Sequence, residues 1–247
     1  MQNILIIARR DLRAQFNSPV AYVVLGGSML LLGVLVFWVP ALMGRYWDLD
    51  RASVVPMFTY LPWLMSVFVI PAVTMRSMAG EKGSGTLELL ITMPVRDSDV
   101  ILGKYVAALT SVLVLLAATL IYPLAMFWWP WHLGALDWGP VLSGYLGCTL
   151  FSAAAVGLGM MLSSLTESEV MAFFMTLASL FFLYFVGSIV SLVPGGLADA
   201  ISFVSFQSRY QSFALGLIDT RAVIYFLSVT VICLLVAFRS LESRKWS

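Results

Sequence analysis

Six apolar runs divide this chain, roughly 20–43, 56–75, 105–129, 141–162, 170–193 and 222–238, and none of them holds an Asp, Glu, Lys or Arg. The hydrocarbon core of a bilayer is about 30 Å thick, so a helix crosses it in about 20 apolar residues. Backbone amides have no water to bond there, and a helix satisfies them within its own segment. The expected fold class is therefore all-α integral membrane, with six transmembrane helices in one domain over 1–247. Apolar residues make up 61% of the chain and charged residues 11%, against about 45–50% and 25% in soluble domains. The first run is too long for the apolar region of a signal peptide and lacks a cleavage site, which predicts an uncleaved anchor.

Six crossings put both termini on one side, and the basic residues say which. Arg9, Arg10, Arg13, Arg76, Lys82, Arg96, Lys104, Arg239, Arg244 and Lys245 fall on the termini and even-numbered connections, against Arg45, Arg51, Arg209 and Arg221 on the others. The positive-inside rule then predicts cytoplasmic termini. Tryptophan prefers the interface, and Trp38, Trp47, Trp63, Trp128, Trp129, Trp131 and Trp138 all fall at or near the outer face of this topology.

The connections carry the remaining information. Residues 1–17 place Leu5, Ala8, Leu12 and Phe16 at helical spacing with Arg9, Arg10 and Arg13 on other faces, predicting a helix in the cytoplasmic interface. The alternative is a basic tail that only fixes topology. Pro62 and Pro71 predict kinks in span two, with the freed carbonyls satisfied by neighbours. The 76–104 loop is longer than a turn needs. Its Glu81-Lys-Gly-Ser-Gly-Thr-Leu-Glu-Leu-Leu-Ile-Thr-Met-Pro94 stretch reads as an acidic helical segment started by glycines and stopped by proline. Asp97 or Ser98 is expected to cap the helix of span three. Thr166 to Glu169 reads as a capping box for span five. In span four, Ala153/Gly157 and Ala155/Gly159 have the four-residue spacing of small residues that lets helices approach closely, read first as packing within the bundle. In 194–221, Phe203, Phe206, Tyr210, Phe213 and Leu217 recur at three- and four-residue steps, predicting one or two short helices re-entering the outer leaflet. A helix lying flat on the surface is the alternative.

Catalytic chemistry is not indicated. Lys82 precedes its glycines, whereas a phosphate-binding loop ends in Gly-Lys-Ser/Thr on a strand-to-helix turn. His132, the single histidine, lies among tryptophans and reads as an interfacial anchor, and Cys148 and Cys233 fall inside apolar runs. Neither a metal site nor a cofactor is expected in this chain. Carriers driven by protons or sodium usually place ionisable residues at membrane depth, so uncharged spans favour energy supplied from outside the bilayer.

The motifs Glu81-Lys82, Gly85-Thr86-Leu87-Glu88-Leu89-Leu90, Pro94 and Gly103-Lys104-Tyr105, set in this six-span plan, resemble ABC-2 type exporter permeases. They are similar to the gliding-motility and nitrous-oxide-reductase-maturation group. The resemblance implies a bacterial inner-membrane complex of two permeases, this chain with a second copy or a homologue, and two cytoplasmic ATPase subunits that bind ATP and Mg. It makes 86–93 a coupling helix docked on the ATPase and 164–169 a second, smaller contact. It also makes 194–221 the outer helices closing the exit. Some relatives work beside a membrane protein with a periplasmic domain; no nucleic-acid partner is implied.

The candidate ATPase-coupling residues are Glu81, Gly83, Gly85, Thr86, Leu87, Glu88, Leu89, Leu90, Pro94, Glu167 and Glu169, and the candidate outer gate is Phe203, Phe206, Tyr210 and Phe213. Glu81 and Glu88 suit charge-assisted bonds to a partner's Arg or Lys, and the leucines suit an apolar groove. The alternative pairs Glu81 locally with Arg76 or Lys82 and packs the leucines under the bundle. The functional expectation is a permease subunit, itself not an enzyme, moving an amphipathic or lipid-like substrate outward. Transmission of ATP-driven work to a periplasmic partner, a secondary carrier and a non-transporting scaffold remain open.

Overall fold

A computed structural model describes residues 2–38, 55–85, 96–127, 138–192 and 196–243. The 44–55 loop tryptophan and His132 lie outside these. Among the described residues every regular element is helical, and six helices are long and apolar enough to cross a membrane. We label the α-helices α1 (Gln2–Phe16), α2 (Pro19–Gly33), α3 (Val55–Leu64), α4 (Ile70–Thr74), α5 (Ala79–Gly83), α6 (Asp97–Thr119), α7 (Ile121–Phe127), α8 (Trp138–Leu165), α9 (Glu169–Phe185), α10 (Gly196–Val204), α11 (Phe206–Ala214) and α12 (Thr220–Ser243). Span one is α2, span two α3–α4, span three α6–α7, span four α8, span five α9 and span six α12.

Span four is the axis of the bundle. It packs most extensively on span six and also touches spans two, three and five and α11. Small residues make this possible, as the four-residue spacing predicts: Gly157 faces Thr230 and Cys233 of span six, and Gly159 faces Thr74 of span two. Phe151, fully buried in span four, meets Tyr184, Phe206, Tyr210 and Phe226 edge-on at 5.6–6.4 Å between ring centres, the arrangement aromatic quadrupoles favour. Spans one, five and six turn large apolar side chains outward, among them Val23, Phe174, Phe182, Ile224 and Leu235.

Span two contains a π-helical stretch, Met65–Val69, between Pro62 and Pro71. A proline removes an amide donor from the ladder, and hydroxyls in the span make bonds of their own: Ser66 Oγ donates to the Pro62 carbonyl and Thr74 Oγ1 to the Ile70 carbonyl, each at 2.8 Å. The N-terminal caps differ from expectation. Arg96, not Asp97 or Ser98, caps α6 without a side-chain bond, leaving Asp97 and Asp99 in the first turn, where the helix dipole favours acids. Ser168, not Thr166, caps α9 by accepting the Met171 amide. The box does not close because the Glu169 carboxylate is turned to Arg76.

The segment after span five forms two short helices, α10 and α11, broken at Ser205, which caps α11 by accepting the Ser208 amide. α11 folds back against span four, where Phe213 lies on Gly147; a Cβ on that glycine would stand 2.5 Å from the Phe213 Cβ. The five aromatic and aliphatic residues therefore do not share one face. Phe206, Tyr210 and Phe213 are buried, whereas Phe203 on α10 and Leu217 beyond α11 are 59% and 65% exposed.

Candidate functional site

The inner face of α1 only partly follows its apolar spacing, with Ala8 buried and Leu12 and Phe16 half-buried. Ile7 and Ala8 point inward while Leu5 and Ile6 are exposed, because α1 is held by polar contacts along span three. Asp11 Oδ2 accepts from Lys104 Nζ at 3.2 Å, and Gln15 Oε1 accepts from Ser111 Oγ at 2.5 Å. Between them the helices close tightly. A Cβ on Gly103 would lie 2.9 Å from Ile7 Cβ, so only glycine admits α1 here.

Glu81, on the short helix α5, completes this cluster. Its Oε1 lies 2.7 Å from Lys104 Nζ and 3.0 Å from Arg10 Nη2, and Arg10 also reaches Asp11 at 2.8 Å. The Lys104 side chain is only 2% exposed, and an ammonium so buried demands opposite charges around it. Burial works against the Arg10 guanidinium, but the Asp11 and Glu81 carboxylates outweigh it and hold its pKa above the ordinary value. Two acids and two bases from three elements thus join α1, α5 and span three.

A second set of contacts ties α5 to the connection between spans four and five. Ser163 Oγ accepts the Met78 and Ala79 amides at 3.2 and 3.0 Å, satisfying helix-start donors that would otherwise be orphaned. Lys82 Nζ and Ser240 Oγ both donate to the Ser164 carbonyl, which brings the end of span six to the same point. Arg76 Nε donates to Glu169 Oε2 at 3.0 Å. A Cβ on Gly83 would stand 2.7 Å from the Glu167 carbonyl oxygen, so the two backbones touch there.

The candidate coupling residues sort accordingly. Glu81, Gly83, Glu167 and Glu169 come together in one platform, although they lie up to 88 positions apart in the chain. Gly85 closes the described segment at φ +71°, in the left-handed region that suits glycine. Thr86, Leu87, Glu88, Leu89, Leu90 and Pro94 lie outside the described residues. The local partner expected for Glu81, Arg76 or Lys82, is replaced by Lys104 and Arg10, because Arg76 is turned to Glu169 and Lys82 to the Ser164 carbonyl. Arg10, Asp11 and Lys104 are members of the site that were not among the candidate coupling residues, although Lys104 stood in the Gly103-Lys104-Tyr105 motif and Arg10 on the basic helix. One signal was available: Asp11 is the single carboxylate in the first 47 residues.

Of the candidate gate, Phe206, Tyr210 and Phe213 form a buried layer with span four. Phe203 instead lies under the Arg209 guanidinium at 4.6 Å, with Tyr225 beside it, a cation–π contact.

Among the described residues no group of three or more His, Cys, Asp or Glu could hold a metal ion. The platform is suited to docking and to transmitting displacement: Arg76 and residues 83–85 are exposed, while the groups behind them are bonded to α1 and to spans three, four and five. In comparison with protein families, a model described as "ABC-2 family transporter protein" matches residues 17–246. Comparison with curated proteins gives no match.

Proposed function

We propose that this chain, which belongs to the ABC-2 family of transporter proteins and is a multi-pass membrane permease component, couples ATP hydrolysis by separate ATPase subunits to outward movement of an amphipathic, lipid-like substrate. The complex contains two ATPase subunits, which bind ATP and Mg, and a second permease. It resides in a bacterial inner membrane with the charged end of the bundle, and both termini, in the cytoplasm.

The observation that carries this reading is the way residues 76–85 are gripped. That segment leads directly into 86–95, and it is bonded on one side to α1 and span three through Glu81 and on the other to spans four and five through Lys82, Ala79 and Arg76, with Ser240 of span six sharing the Ser164 carbonyl that Lys82 reaches. A push passed from 86–95 to residues 76–85 by a closing ATPase dimer therefore reaches α1 and spans two to five. The six apolar runs, which hold no Asp, Glu, Lys or Arg, suit a substrate with apolar parts better than a small ion.

The test is Glu88→Arg in the intact complex reconstituted in lipid. The expected result is loss of ATPase co-purification or of permease-dependent ATPase activity, with the permease still folded in the membrane. Unchanged coupling in that variant removes Glu88 from the mechanism. ATPase subunits that never co-purify with the wild-type chain overturn the whole reading.

A further inference from the structure

A cavity of about 280 Å³ opens between α1, α2, α4 and span three at the charged end of the bundle. Its walls differ in character. Val24, Leu25 and Val73 line one part, while Asp11, Arg76, Glu81 and Lys104 line another. The coupling mechanism above uses these charged groups but not the space in front of them.

We propose that this cavity binds a zwitterionic glycerophospholipid, taking the phosphoethanolamine headgroup and the adjoining part of one chain. Three observations support it. The walls are apolar on the side of spans one and two and polar at the end, the profile of an amphiphile rather than of water or a polar metabolite. The charged lining balances, with two carboxylates and two cations that are already ion-paired, Asp11 and Glu81 with Lys104 and Arg76 with Glu169. A headgroup carrying both a phosphate and an ammonium therefore joins these pairs without unbalancing them, whereas a net anionic one finds no uncompensated cation. The volume is just below the range of about 300–1,000 Å³ typical of small-molecule sites, enough for a headgroup and the start of a chain but not for a whole lipid. Arg76, half exposed at 50%, is the phosphate contact, and the Asp11 and Glu81 carboxylates receive the ammonium. The bound lipid braces α1 against spans one and two. This site is a binding site in its own right and does not depend on the transport reading.

The experiment is native mass spectrometry of the purified full chain, released from detergent supplemented with equimolar phosphatidylethanolamine and phosphatidylglycerol. The expected result is retention of one phosphatidylethanolamine with at least about tenfold preference, a difference of about 1.4 kcal/mol. Ala21→Trp, which fills the cavity from α2, loses that adduct. Ala72→Leu, a smaller wedge from the opposite wall, does the same and serves if the tryptophan variant fails to fold; far-UV circular dichroism checks both. Retention without headgroup preference, which is what lipid around the bundle would give, overturns the proposal. So does undiminished retention in a folded wedge variant.

Discussion

Arg76 and Glu169 meet at 3.0 Å across 93 positions of sequence and join the end of span two to the start of span five. The pair is half exposed, 50% and 40%, so it adds only about 0.2–1 kcal/mol to stability. Its consequence is positional: the two connections at the charged end move together.

Charge reversal tests that coupling. Arg76→Glu and Glu169→Arg singly should lower permease-dependent ATPase activity in the reconstituted complex, and the double swap should recover most of it. Thermal melting should shift little in any of the three. Equal loss in the double swap would show that the pair does not set the geometry.

Lys104→Met keeps the stem of the side chain and removes its charge. Full removal of a partner from a buried pair costs about 3–5 kcal/mol; here Asp11 and Glu81 are partly solvated, so we expect about 2 kcal/mol. A double-mutant cycle with Glu81→Gln should return an interaction energy of about 0.5–3 kcal/mol, read from denaturation of the detergent-solubilised chain. Strict additivity would dissolve the network.

Gly103→Val should lift α1 from span three, because any Cβ there collides with Ile7. Overpacking of this kind costs about 1–3 kcal/mol. A cysteine at the buried position Ala8 should then react with a water-soluble maleimide roughly ten to a hundred times faster, as local opening becomes cheaper. The exposed Leu5 position should show no change.

Phe213 and Leu217 separate the buried from the exposed side of the segment between spans five and six. Phe213→Ala opens a cavity against Gly147 and should cost about 3–5 kcal/mol. Leu217→Ala, on an exposed side chain, should stay within about 0.5 kcal/mol. Similar melting shifts for the two would contradict the docking of α11.

The family match extends over 17–246, which includes Lys104 and leaves out α1 with Arg10, the second basic partner of Glu81.

Six apolar runs long enough to cross and two short helices between spans five and six were written in the sequence, because apolar length and helical spacing are local properties that each segment carries by itself. The close approach at Gly157 and Gly159 was legible for the same reason: small residues four apart make a groove whatever fills it. The caps were misplaced by one or two residues, since Ser168 and Arg96 take that position only once Glu169 and the approach to span three are fixed. Only the tertiary structure chose the partners of Glu81. Lys104 and Arg10 reach it from 23 and 71 positions away, and no spacing rule relates charges on separate helices. Burial made the choice: packing α1 on Gly103 takes the Lys104 ammonium out of water, and the carboxylates then nearest to it must answer the charge.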